Sequence, residues 1–175
     1  FCDMYYFEDA IADETAKAGV RGVLGETLID FPAPDNKTFD EALVYTEKFV
    51  KKWTGHRLIV PAVAPHAPYT VSQEHLLKTR ALSDKLNAPL VIHLAEAESE
   101  TEFIKKNQKG MRPIEYVDKI GFLSDKTIAA HVIQANEKEL DILKRRGVGI
   151  AHNPQSNMKL AAGVAPVPAM LAKNL

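Results

Sequence analysis

A single cysteine, Cys2, occurs in the 175 residues, so the chain can close no internal disulfide and build no cysteine-based zinc site. A reducing, cytoplasmic setting is the default expectation. Net charge is nearly absent as well: 22 Lys and Arg stand against 23 Asp and Glu. That balance excludes a general nucleic-acid binder, which carries a basic surplus. No apolar run approaches the roughly 20 residues of a membrane span. The longest, LIVPAVAP at 58–65, contains two prolines. The chain opens on Phe1 rather than Met, so the lack of a secretory leader carries no weight. Several catalytic signatures are missing too: HExxH, GxSxG and the Walker A loop. The H-x-E…P-C-x-x-C pattern of the cytidine-deaminase type is excluded by the cysteine count.

What is present is a rhythm of short β-type runs and amphipathic helices. FCDMYY leads into a helix closed by Gly19, and VRGVLGETL follows as a second strand. Thr38 and Glu41 form a capping box for a helix reaching about Trp53. RLIVPAV is a third strand. Ser72 opens a helix expected to bury Leu76, Leu77, Leu82 and Leu86 on one face. PLVIHL comes next, before a polar helical region broken near Gly110 and restarted at Pro113. KTIAAHV, a helix capped by Asn136 and Glu139 and ending at Gly147, and VGIAHN complete the series. KKNQK at 105–109 and KRR at 144–146 read as solvated helix faces.

Six strands, each followed by a helical stretch, predict a parallel sheet covered on both faces. An open doubly wound sheet and a sector of a (β/α)8 barrel both fit. No glycine-rich phosphate loop follows the first strand, which removes the main support for a nucleotide-binding Rossmann fold.

Four of the six histidines take equivalent places: His66, His93, His131 and His152 each close an apolar strand. Parallel strands lie roughly 4.8 Å apart, and their carboxyl ends are where α/β folds place active sites. One such histidine is most simply a hydrogen-bonded core residue; four in register point to a shared ion or water. Glu96 follows His93 by three positions. If the strand ends at His93, a turn through Leu94 and Ala95 brings Glu96 back over the same pocket. Such a pair suits water activation with proton transfer by the carboxylate. In the acidic run EAESETE, solvation of a helix N-terminus accounts for Glu98, Glu100 and Glu102 better than for Glu96.

The segments APHAPYTVS (64–72), VIHLAEAESE (91–100), IAAHV (128–132) and AHNPQSNMKLAAGVAPV (151–167) resemble the amidohydrolase superfamily. They are most similar to its 5-methylthioadenosine/S-adenosylhomocysteine deaminases and their chlorohydrolase-like relatives, and DMYYFEDAIA (3–12) matches the same group. The resemblance implies an α/β fold of (β/α)8 TIM-barrel type with one divalent metal, zinc first, with iron or manganese as alternatives. It implies that His93 is a metal ligand and Glu96 a proton shuttle that also contacts the purine. His131 would hydrogen-bond the metal-bound hydroxide, His66 would contact substrate, and Glu8 would hold ribose hydroxyls. His152, Asn153, Ser156 and Asn157 fall in the loop after barrel strand seven, in structural or contact roles.

Two departures qualify that implication. The family's His-x-His pair on strand one and Asp on strand eight have no counterpart here. Residues 1–175 therefore read as an incomplete catalytic barrel of six βα units, strands two to seven, expected to hold metal weakly and to be inactive alone. Arginines that grip the amino-acid carboxylate of S-adenosylhomocysteine in some relatives are replaced by GETLIDFPAPDNKT, with Glu26 at the strand end and Lys37 the only nearby cation. The substrate expected is a purine nucleoside: methylthioadenosine, S-adenosylhomocysteine or adenosine. Halide release from a triazine, deamination of guanine, and a non-catalytic scaffold module remain as alternatives. The exposed sheet edges predict a homo-oligomer or a swapped assembly, with neither nucleic acid nor membrane as partner.

Overall fold

The computed structural model describes residues 1–175. Strand and helix alternate as β1 (Cys2–Tyr5), α1 (Glu8–Ala18), β2 (Gly22–Leu28), α2 (Phe39–Trp53), β3 (Ile59–Pro65), α3 (Gln73–Leu86) and β4 (Leu90–Leu94). The second half continues with α4 (Glu98–Asn107), α5 (Pro113–Lys119), β5 (Thr127–His131), α6 (Glu137–Arg146), β6 (Gly149–Ala151), α7 (Pro154–Lys159) and α8 (Val167–Ala172). The six strands follow one another in chain order across the sheet. A doubly wound sheet reverses direction at a switch point; simple succession is the order of a barrel sector, and the fold is a partial (β/α)8 barrel. No helix is long and apolar enough to cross a membrane.

Two compact units divide the chain, Phe1–His66 with Thr70–Val91, and Ala67–Tyr69 with Ile92–Leu175. In the first, β1 pairs with β2 from Cys2↔Val23 to Tyr5↔Glu26, and β2 with β3 from Gly22↔Ile59 to Leu28↔Pro65. Gly25 is required there, because a Cβ on it would stand 2.6 Å from that of Ala64. Helix α2 begins with the expected capping box, in which Thr38 accepts from the Glu41 N–H and Glu41 accepts from the Thr38 N–H. Gly19 closes α1 in the left-handed region at φ 72°.

Helix α3 corrects one expectation. Its buried face is Leu76, Thr79, Leu82 and Ser83, whereas Leu77 is exposed and Leu86 half-buried. Leu77 lies about 100° around the helix from Leu76, off the i, i+3, i+7 stripe. The two hydroxyls are tolerated inside because each donates to a backbone carbonyl: Thr79 to Leu76 at 2.7 Å, Ser83 to Ala88 at 2.6 Å.

In the second unit β5 pairs with β6 from Ile128↔Gly149 to Ala130↔Ala151. Asn136 and Glu139 form the expected capping box on α6, and Gly147 ends it at φ 70°. The buried Glu139 carboxylate also takes the Arg112 guanidinium at 2.7 Å. The basic stretches at 105–109 and 144–146 are exposed as expected, and Arg145 and Arg146 pair with Asp118. The segment after β6, expected as a loop, forms the short helix α7 instead. Pro154 supplies a ready-made first helical residue, and the Asn157 N–H closes the turn onto Asn153 at 3.0 Å.

Candidate active site

Within the second unit, β4 runs one residue past His93, to Leu94, before the chain turns. Ala95 makes the turn in the left-handed region at φ 52° and is fully buried. The amides of Ala95, buried, and Glu96, half-buried, both donate to the Glu100 carboxylate, at 3.0 and 2.9 Å. Glu100 is therefore not a solvated member of the acidic run: it is 3% exposed and reaches back from the first turn of α4 to hold the strand end. Burial pushes its carboxyl up to about 7, against the pull of the amides that donate to it.

That turn brings Glu96 to the histidine of the neighbouring strand. Glu96 Oε1 lies 3.4 Å from His131 Nε2. The His93 and His131 rings lie with centroids 5.4 Å apart, tilted 44° to one another. His131 closes β5 with φ 75° and Val132 follows at φ 49°, two consecutive non-glycine residues in a costly region. The strain is held by hydrogen bonds from Val132 N–H to the Leu94 carbonyl at 3.1 Å and from Gln134 N–H to the Ala95 carbonyl at 2.8 Å. His131 itself is 4% exposed, and its Nδ1 is 2.8 Å from Asn157 Oδ1. Tyr69 packs edge-on against Phe103 at 6.4 Å, and its phenol is raised by burial and by the charges of Glu100 and Glu96.

His152 follows directly on β6, as expected, and is exposed. β6 ends at Ala151, so the histidine stands one residue past its strand, as His66 does past β3. Asn153 caps α7 through its backbone, and Ser156 is half-buried.

The first unit holds Glu8 and His66. Glu8 opens α1 fully buried, with Oε1 accepting from the Tyr5 N–H at 3.0 Å and Oε2 buried without a partner. Its own N–H donates to Glu26 Oε2 at 3.1 Å, and Asn36 donates to Glu26 Oε1 at 3.3 Å. Burial and then the Asp3 charge raise Glu8 to about 8. Burial and a hydrogen bond to Asp35 raise Glu26 to about 9. Lys37 donates to the Ala33 carbonyl at 3.1 Å. His66 Nδ1 is 2.8 Å from Thr70 Oγ1, and burial lowers the pKa of the ring.

The sequence signal for Glu100 and Asn157 was weak: one sits in an acidic run, the other in a polar stretch. No group of three or more His, Cys, Asp or Glu side chains is placed to hold a metal ion. A mononuclear catalytic site takes three protein ligands or more, so these residues do not complete one by themselves.

The pattern of the amidohydrolase family matches residues 1–175. The chain is 43% identical over 175 residues to a 5-methylthioadenosine/S-adenosylhomocysteine deaminase from Thermodesulfovibrio yellowstonii, covering 100% of this chain and 40% of that protein. It is 43% identical over 174 residues to a 5'-deoxyadenosine deaminase from Methanopyrus kandleri, covering 99% and 40%. A crystal structure of an adenosine deaminase from Xanthomonas campestris with bound zinc superposes with a TM-score of 0.95 at 33% identity, over 99% of this chain and 40% of that one. The chain thus spans about 40% of the length of the relatives it matches.

Proposed function

This chain belongs to the amidohydrolase family, and from that premise we propose that it carries the proton-transfer part of a hydrolytic deaminase of adenine nucleosides. The single observation supporting this most is the approach of Glu96 Oε1 to His131 Nε2 at 3.4 Å, beside His93. Water adds to C6 of the purine, the C6–N bond breaks, and ammonia leaves. Glu96 takes a proton from the water and passes it to the ring nitrogen as charge builds there, and the second proton of the water passes to the departing amino group as C6 keeps the oxygen as a carbonyl. His131 holds the attacking oxygen in line through Nε2. A divalent metal, zinc before iron or manganese, would lower the pKa of the water when bound. His93 offers it one imidazole, and its other ligands are not among this chain's residues.

The substrate class follows the relatives, whose names differ in the 5'-substituent and share adenine nucleoside chemistry. Glu8 is proposed to hydrogen-bond ribose hydroxyls, since its buried Oε2 has no partner. His66, kept neutral by burial, is proposed as a further substrate contact.

The test is Glu96→Gln in a complete barrel that carries these residues together with the remaining metal ligands. Turnover of methylthioadenosine, S-adenosylhomocysteine and adenosine is expected to fall by about 10²–10⁴-fold, with nucleoside binding retained. Unchanged turnover removes the proton-transfer role. Wild-type turnover of guanine or a chlorotriazine in place of the adenine nucleosides reassigns the substrate.

A further inference from the structure

The geometry points to Asn157 as a positioning residue that sets which nitrogen of His131 carries the proton. His131 Nδ1 lies 2.8 Å from Asn157 Oδ1. An amide oxygen only accepts, so Nδ1 holds the hydrogen and Nε2 is left with a lone pair, aimed toward Glu96. The partner is well fixed. Asn157 is 2% exposed, its N–H donates to the Asn153 carbonyl at 3.0 Å, and its own carbonyl accepts from Ala162 at 3.0 Å.

The tautomer decides what the ring can do. With hydrogen on Nδ1, Nε2 accepts a hydrogen bond from an attacking water or from a protonated Glu96. With hydrogen on Nε2, the ring would donate to the Glu96 carboxylate and compete for the electron pair needed to take up a proton. A hydrogen bond at one imidazole nitrogen commonly sets the state of the other. The catalytic meaning rests on the deaminase reading above; the tautomer does not.

Nitrogen NMR of the isotope-labelled histidines, at alkaline pH where imidazoles are neutral, reads the tautomer directly. In the wild type, His131 is expected to show a protonated Nδ1 and a bare Nε2. Asn157→Leu is expected to mix the two forms and, in a complete barrel that carries these residues, to lower turnover by about 10–100-fold. Asn157→Asp, which still accepts from Nδ1, is expected to restore the Nδ1–H form. A wild-type spectrum with the hydrogen on Nε2 overturns the inference, and so does a Leu variant with an unchanged tautomer. Should Asn157→Leu fail to fold, the wild-type and Asp spectra still decide. The expected tautomer in a complete barrel that carries these residues and the remaining metal ligands, with no nucleoside turnover, defeats the deaminase reading alone.

Discussion

Glu26 in the first unit and Glu100 in the second are both buried carboxyls, at 0% and 3% exposure, yet they are held in different ways. Glu26 is raised to about 9, by burial and then by a hydrogen bond to another carboxyl, Asp35. Glu100 is raised only to about 7, because the amides of Glu96, Ala95 and Ala97 favour its charged form against the cost of burial. Burial alone does not set the state of a carboxyl; the partner does. In the first unit a neighbouring carboxyl favours the neutral form of Glu26, whereas in the second the amides hold Glu100 where it fixes the backbone that aims Glu96.

The largest effect expected from breaking this contrast is at Glu100. Glu100→Ala leaves the amides of Ala95 and Glu96 without acceptors, one of them fully buried. An orphaned buried donor costs about 1–3 kcal/mol, so a loss of about 3 kcal/mol in chemical denaturation is expected. Glu100→Gln keeps one acceptor oxygen and is expected to recover part of it. Equal stability of the alanine variant and the wild type would show that the strand end has other support.

A smaller effect, in pH dependence, is expected at Glu26. Its folded pKa of about 9 lies above the ordinary 4.5. Between those values the folded state keeps a proton that the unfolded chain releases, so stability falls as pH rises through the window. Glu26→Gln places an amide where the neutral carboxyl stood and is expected to flatten that decline, measured as the urea midpoint against pH. Glu8, raised to about 8, is expected to leave a residual slope. Parallel curves for variant and wild type would mean that Glu26 is ionised in the folded protein.

The contrast also explains what was legible before the structure. Local signals read correctly: the Thr38–Glu41 and Asn136–Glu139 boxes and the glycine stops at Gly19 and Gly147 need only nearby backbone. The His93, Glu96 and His131 cluster was legible because strand ends in a parallel sheet fall on one side. Glu100 was not, since its burial comes from a strand end that lacks acceptors, and composition reports only an acidic run. Leu77 was misplaced because hydropathy favoured it over Thr79, whose hydroxyl is satisfied by the Leu76 carbonyl.

The smallest expected effect isolates burial from partnering. Each unit buries a threonine hydroxyl with no partner: Thr46 in α2, at 0% exposure, and Thr101 in α4, at 5%. Valine keeps the shape and removes the hydroxyl, so the desolvation that no hydrogen bond repays disappears. Thr46→Val and Thr101→Val are each expected to raise stability by about 0.5–1 kcal/mol, read as a shift in the denaturation midpoint without a change in slope. Similar gains would mean that burying a neutral polar group costs the same in both units. The separation between Glu26 and Glu100 then belongs to their partners, carboxyl in one case and amide in the other. A loss in either variant would show that the hydroxyl has a partner, and that the two interiors differ before any charge is placed in them.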